Sequence, residues 1–140
     1  MKKSMLFAGL FQIVVALALS APAVAQHDPY LIHVPFSFNV NGQVLPAGEY
    51  RIGIRPGALQ IHGIDHVADA MFPAFDPHVN RPVRGPLDGE LVFHRYGQTY
   101  FLAQVWFQGA DAGYELFVSS AEREYAKKIS TPESVMLAAK

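Results

Sequence analysis

Residues 90–107 read ELVFHRYGQTYFLAQVWF, and this stretch decides the fold. It predicts strand, a turn at Gly97, and strand. The register matters because a slip of one residue exchanges the two faces of a hairpin. A three-residue loop Arg95-Tyr96-Gly97, with Gly97 left-handed, pairs His94 with Gln98. Leu91, Phe93, Phe101, Ala103, Val105 and Phe107 then share one wholly apolar face. Val92, His94, Tyr100, Leu102, Gln104 and Trp106 share the other. A two-residue Gly97-Gln98 turn would instead set His94 and Glu90 among the apolar residues. The first register is the expected one, because it buries no unpaired ionisable group.

Upstream, residues 31–40 alternate cleanly. Ile32, Val34, Phe36, Phe38 and Val40 interleave with His33, Pro35, Ser37 and Asn39. A period of two with one apolar face marks a half-buried strand. Pro35 cannot donate to a ladder, so this strand belongs at an edge or carries a bulge. Asn41-Gly42 follows as a type I′ hairpin turn. Gln43-Val44-Leu45 leads into a second turn at Pro46-Ala47-Gly48. Tyr50, Ile52 and Ile54 then alternate with Glu49, Arg51 and Gly53. Pro56-Gly57 suits the centre of a type II turn. Leu59 and Ile61 continue the alternation, and residues 66–72 predict a further strand.

Residues 73–89 break the pattern with Pro73, Pro77, Pro82 and Pro86. A connection of that length is either functional or a variable surface loop. After Phe107, Gly109, Asp111 and Gly113 mark another loop. Ser119 predicts a helix N-cap, with Glu122 completing a capping box. Ala121, Tyr125 and Ile129 form the stripe expected to dock on a sheet. Glu124 and Lys128 form an exposed i,i+4 pair, and Pro132 ends the helix. Residues 134–139 are ambiguous, with a last strand preferred over a second helix. Together these elements predict a mainly β fold, an antiparallel β-sandwich or partly open barrel with one C-terminal α-helix.

The N-terminus has a different logic. Lys2 and Lys3 precede an uncharged run from Met5 to Leu19, and Ala23-Val24-Ala25 follows. That order predicts a signal peptide over 1–25. At about 15 residues the run is shorter than the roughly 20 of a membrane span. Residues 26–140 then form a single β-rich domain of 115 residues, periplasmic or secreted. Loss of Lys2 and Lys3 leaves nine basic residues against twelve acidic ones, so a nucleic-acid partner is not expected. The chain has no cysteine, so its stability must come from a packed core.

The segments VPFSFNVNGQVLPAGEYRI, LVFHRYGQTYFLAQVW and SSAEREYA resemble a family of small exported acidobacterial proteins. That family has a VPF-x-F-x-V start, an LPAG-x-Y turn, an LVFHRYG-x-x-YFL hairpin and a late S-x-x-E-R-E helix. The resemblance spans most of 32–126 and implies export. It brings no catalytic or binding residue, and it does not extend to the Pro-rich stretch.

His27, His33, His62, His66, His78 and His94 offer metal ligands, yet there is no H-E-x-x-H and no cysteine. Incidental surface histidines are the plain reading, and neither a metal nor a cofactor is expected. His94-Arg95-Tyr96 forms a polar cluster. It could grip an anion, or it could fix the hairpin tip through an ion pair from Arg95 to Glu90, Asp88 or Glu122. Tyr100, Gln104 and Trp106 beside His94 could stack a sugar or hold a peptide. The alternative is that another layer covers this face and Trp106 is core. No G-x-S-x-G, thiol nucleophile or phosphate loop is present, so catalysis is not expected.

The expected function is therefore a non-enzymatic binding or structural role in the cell envelope. Its partner would be an envelope protein, peptide or glycan, with membrane contact only through the signal peptide during export. The rivals are an aromatic-face carbohydrate or peptide module, a histidine-based metal or hydrolytic protein, and strand addition along the Pro35 edge.

Overall fold

The hairpin at 90–107 turns through two residues. The computed structural model describes residues 27–65, 68–73, 79–80 and 88–139. Its strands β8 (Glu90–Tyr96) and β9 (Thr99–Trp106) pair Tyr96 with Thr99 and His94 with Phe101. Gly97 turns with φ +64°. The expected three-residue loop and its His94–Gln98 pair are therefore wrong. Further along, Val92 faces Gln104 while Phe93 faces Leu102, so Ala103 is an extra residue in β9. This β-bulge resets the phase of the strand. Leu91, Phe93 and Val105 point into the core as expected, and Phe107 joins them. Phe101 instead points to the opposite face, and Leu102 takes its place in the core.

Eleven strands form two sheets among the described residues. The first is antiparallel, with β1 (Tyr30–Val34), β4 (Gly48–Arg55), β5 (Ala58–Gly63) and β6 (Asp69–Pro73) in the order β1-β4-β5-β6. The second has the order β11-β8-β9-β10-β7, where β7 is Val79–Asn80, β10 is Ala112–Glu115 and β11 is Glu133–Ala138. Strand β2 (Phe38–Val40) joins β9 in parallel and forms a hairpin with β3 (Gln43–Leu45). Asn41 and Gly42 both have positive φ, as a type I′ turn requires. Neither sheet closes into a barrel, so the architecture is a β-sandwich.

Residues 31–40 do not form one strand. The chain leaves the first sheet after Val34 and enters the second at Phe38. Pro35 lacks the N–H that would continue the β1 ladder, so it falls where the chain crosses between sheets. Ile32, Val34, Phe38, Tyr50, Ile52, Leu59, Ile61, Phe93 and Val105 fill the space between the sheets. Phe38 packs edge-on against both Tyr50 and Phe93, which ties the two layers together.

The outer face of the second sheet carries a third layer, helix α1 (Ser120–Lys128). Ser119 caps it, accepting from the Glu122 N–H at 3.1 Å, while Lys127 and Lys128 complement the dipole at its end. The docking face is rotated from the expected stripe. Glu122 is buried, whereas Ala121 is exposed and Ile129 stays 40% exposed. Tyr125 lays its ring against Tyr96 and Phe101. Lys127 pairs with Glu124 in place of Lys128, at 2.6 Å. After the helix, β11 pairs along β8 from Glu133–Arg95 to Ala138–Glu90, so the tail is a strand. The expected leader over 1–25, His66, His78 and most of the Pro-rich stretch lie outside the described residues.

Candidate functional site

The hairpin residues singled out from sequence turn inward. His94 Nδ1 lies 2.8 Å from Glu122 Oε1, and the Tyr96 hydroxyl donates to the same oxygen at 3.2 Å. The Glu122 carboxylate thus leaves the capping box half made: its N–H is capped, but its side chain reaches the sheet. Tyr96 ionises above the ordinary phenol range, first because it is buried and then because the Glu122 charge opposes a phenolate and its oxygen binds the hydroxyl. Arg95 sits over the Tyr100 ring, donates to the Gly97 carbonyl at 2.8 Å, and reaches Glu133 at 3.3 Å. Its acid is therefore Glu133, not Glu90, Asp88 or Glu122. The pairing follows from β11, which sets Glu133 directly opposite Arg95.

The aromatic face is closed as well. Trp106 is fully buried, and its indole N–H donates to Gln104 Oε1 at 3.1 Å. Gly113 of β10 lies against the ring so closely that a Cβ there would come within 2.6 Å of it. Tyr100 stacks on Phe36 with centroids 3.7 Å apart, and so belongs to the core side of the sheet. His94, Arg95, Tyr96, Tyr100, Gln104 and Trp106 thus all have partners inside the protein. The structure brings them to one hairpin but splits them between its two faces. A buried Trp106 offers no platform for a sugar ring.

The open polar surface lies elsewhere, on the outer face of the first sheet. Strand β4 alternates there as Glu49, Arg51, Gly53 and Arg55, because Tyr50 and Ile52 are drawn into the core. Strand β5 sets His62 opposite Arg51 and Gln60 opposite Gly53. Arg51, Gly53, Arg55, Gln60 and His62 line a groove of about 300 Å³. Neighbours hold most of these side chains. Arg55 Nε donates to Gln60 Oε1 at 2.8 Å, and His62 Nδ1 lies 2.5 Å from Asp69 Oδ1. Glu49 is engaged by His33 at 2.8 Å. Both carboxylates of the face therefore face histidines. Arg51 is exposed and has no hydrogen-bond or ion-pair partner among the described residues.

Sequence reading passed over this constellation, although the signal was present. Period two places 51, 53 and 55 on the polar face, and a glycine in mid-strand stands out there. Among the described residues no group of three or more His, Cys, Asp or Glu side chains is placed to hold a metal ion. Nor is any described helix long and apolar enough to cross a membrane. Among the described residues strand β1 ends its sheet, so Tyr30–Val34 has one edge without a strand partner there, while 38–40 is paired on both sides. No protein-family model, curated protein or solved structure matches this chain.

Proposed function

We propose that this chain is a small exported, non-enzymatic β-sandwich domain that binds a ligand or partner in the cell envelope through the outer face of its four-stranded sheet. One observation carries the reading. The hairpin cluster uses its polar groups to hold the fold together, whereas Arg51 stands exposed, without a partner among the described residues, in a groove where most other side chains are held by neighbours. Export rests on the leader-like order of residues 1–25. The test has two arms. Expression of the full chain followed by fractionation and mass measurement should give a periplasmic or secreted form starting at Gln26. Amide shift mapping of that form with solubilised peptidoglycan fragments and envelope peptides should then perturb Arg51, Gly53, Gln60 and His62. Perturbation confined to the helix side would overturn the choice of face. Turnover of ester, phosphoester or glycoside substrates would overturn the non-enzymatic reading.

Strand addition is a second reading, favoured by the open edge of β1. A groove of about 420 Å³ runs beside that edge, lined by Leu31, His33, Pro35 and Leu137. An extended partner peptide bound there would slow hydrogen exchange at the outward amides of Tyr30–Val34. Unchanged exchange on binding would exclude this mode.

A further inference from the structure

We propose that the Arg51–Gly53–Arg55 face is an anion subsite that seats a phosphate or carboxylate group of its ligand. The inference rests on the binding role assigned above to this face and adds the chemistry of what is bound. Two arginines four residues apart on one strand face stand roughly 13 Å apart at their Cα atoms. Gly53 lies between them and contributes no side chain, and Pro29 packs beside it as part of the groove wall.

The fold does not require that glycine. Its φ is not in the left-handed region, and a Cβ there would meet Pro29 at 3.5 Å, an ordinary contact. Glycine within a strand is unfavourable to the strand itself, and its presence often marks a close approach by a ligand or another backbone. Here the glycine lies between two arginines of the strand face, with Pro29 beside it.

The pairing of the charged side chains points the same way. Glu49 and Asp69 are the carboxylates of this face, and each is engaged by a histidine. No carboxylate bonds either guanidinium among the described residues. Gln60 accepts from Arg55 Nε, which fixes that arm and leaves its two terminal nitrogens for a ligand. A planar guanidinium donates two parallel bonds to a carboxylate or phosphate, so the free fork of Arg51 suits both anions. Asp69 occupies the Nδ1 side of His62, leaving Nε2 as the ring nitrogen for the groove.

The test uses the mature protein with inorganic phosphate, acetate, neutral maltose and phosphatidylglycerol vesicles as separate probes. Arginine side-chain N–H resonances report binding. Saturable shifts at Arg51 and Arg55 with phosphate or acetate, and none with maltose, are the expected result. Arg51→Gln should weaken binding at least tenfold. Arg51→Lys, which keeps the charge but loses the fork, should weaken it about threefold. Gly53→Ala should weaken binding while the protein stays folded, because the added methyl narrows the groove between Pro29 and the arginines. Arg123→Gln, on the exposed side of the helix, should change nothing. Binding to vesicles alone would overturn a small-anion subsite, as would phosphate affinity unchanged in Arg51→Gln. If envelope fragments bind this face but neither anion does, the anion chemistry fails while the binding role stands. If nothing binds there, both fail.

Discussion

Replacing Glu122 with alanine tests the three-layer arrangement most directly. Its carboxylate lies between α1 and β8, with the residue only 4% exposed, and holds His94 at 2.8 Å and the Tyr96 hydroxyl at 3.2 Å. Alanine leaves the buried Tyr96 hydroxyl without its acceptor, which costs about 1–3 kcal/mol. The hydrogen bond to His94 is lost as well, but that side chain is about a third exposed, so water takes over part of its role. A net loss of about 2–4 kcal/mol follows for Glu122→Ala. Glu122→Gln keeps the shape and one acceptor oxygen, so its loss should be about 1 kcal/mol. Urea unfolding followed by far-UV dichroism measures both. With a slope of about 2 kcal/mol per molar, the alanine midpoint should fall by about 1–2 M. A double-mutant cycle with His94→Ala should show coupling of about 1–2 kcal/mol. A Glu122→Ala protein within about 0.5 kcal/mol of the parent would refute the reasoning, because it would mean the carboxylate does not anchor the helix.

Three further outcomes follow from the packing. Burial pushes Tyr50 up to about 12 and holds Tyr30 and Tyr96 above the ordinary phenol range, Tyr30 also facing Glu90. Below about pH 10 both folded and unfolded phenols are neutral and this stability is complete; above it only the unfolded chain deprotonates, so stability should fall by about 1.4 kcal/mol per pH unit for each such tyrosine. Phenolate absorbance should then show these three appearing late, near pH 12 or with unfolding, and prompt titration of all six tyrosines together would contradict it. Gly113→Ala drives a methyl into the Trp106 ring and should cost about 1–3 kcal/mol, while Gly53→Ala, which meets only Pro29 at an ordinary contact distance, should be neutral or stabilising by up to about 1 kcal/mol; thermal unfolding compares them. Trp106 emission should be blue-shifted and resist iodide quenching, and a solvent-exposed spectrum would mean β10 does not cover it.

Much of this structure was legible because strands advertise themselves by alternation. The apolar sides of 30–34, 48–55 and 58–63 could be read directly, since each lies in an antiparallel sheet with one face on the core. The Asn41-Gly42 turn was equally readable, because few residues tolerate its dihedrals. The 90–107 hairpin was legible in type but not in register. A rule against burying His94 chose the wrong turn, since the acid that satisfies His94 comes from a helix 28 residues away. The Ala103 bulge had no local signal either: alternation persists on both sides of it, and only pairing with β8 reveals the extra residue.

By itself, then, the sequence determined the β-class of the chain, its cysteine-free packed core, most turns, the late helix and the leader-like N-terminus, because these depend on neighbouring residues and on periods of two or four. The tertiary structure alone decided which polar groups are used up and which remain. Glu122 satisfying His94 and Tyr96, Gly113 covering Trp106, and Glu133 meeting Arg95 are contacts between residues well apart in the chain. A side chain's availability for binding depends on such partners, and no local pattern encodes them. That is why a cluster conspicuous in the sequence became occupied by the protein's own partners, while a plain strand face with a glycine between two arginines was left open to solvent.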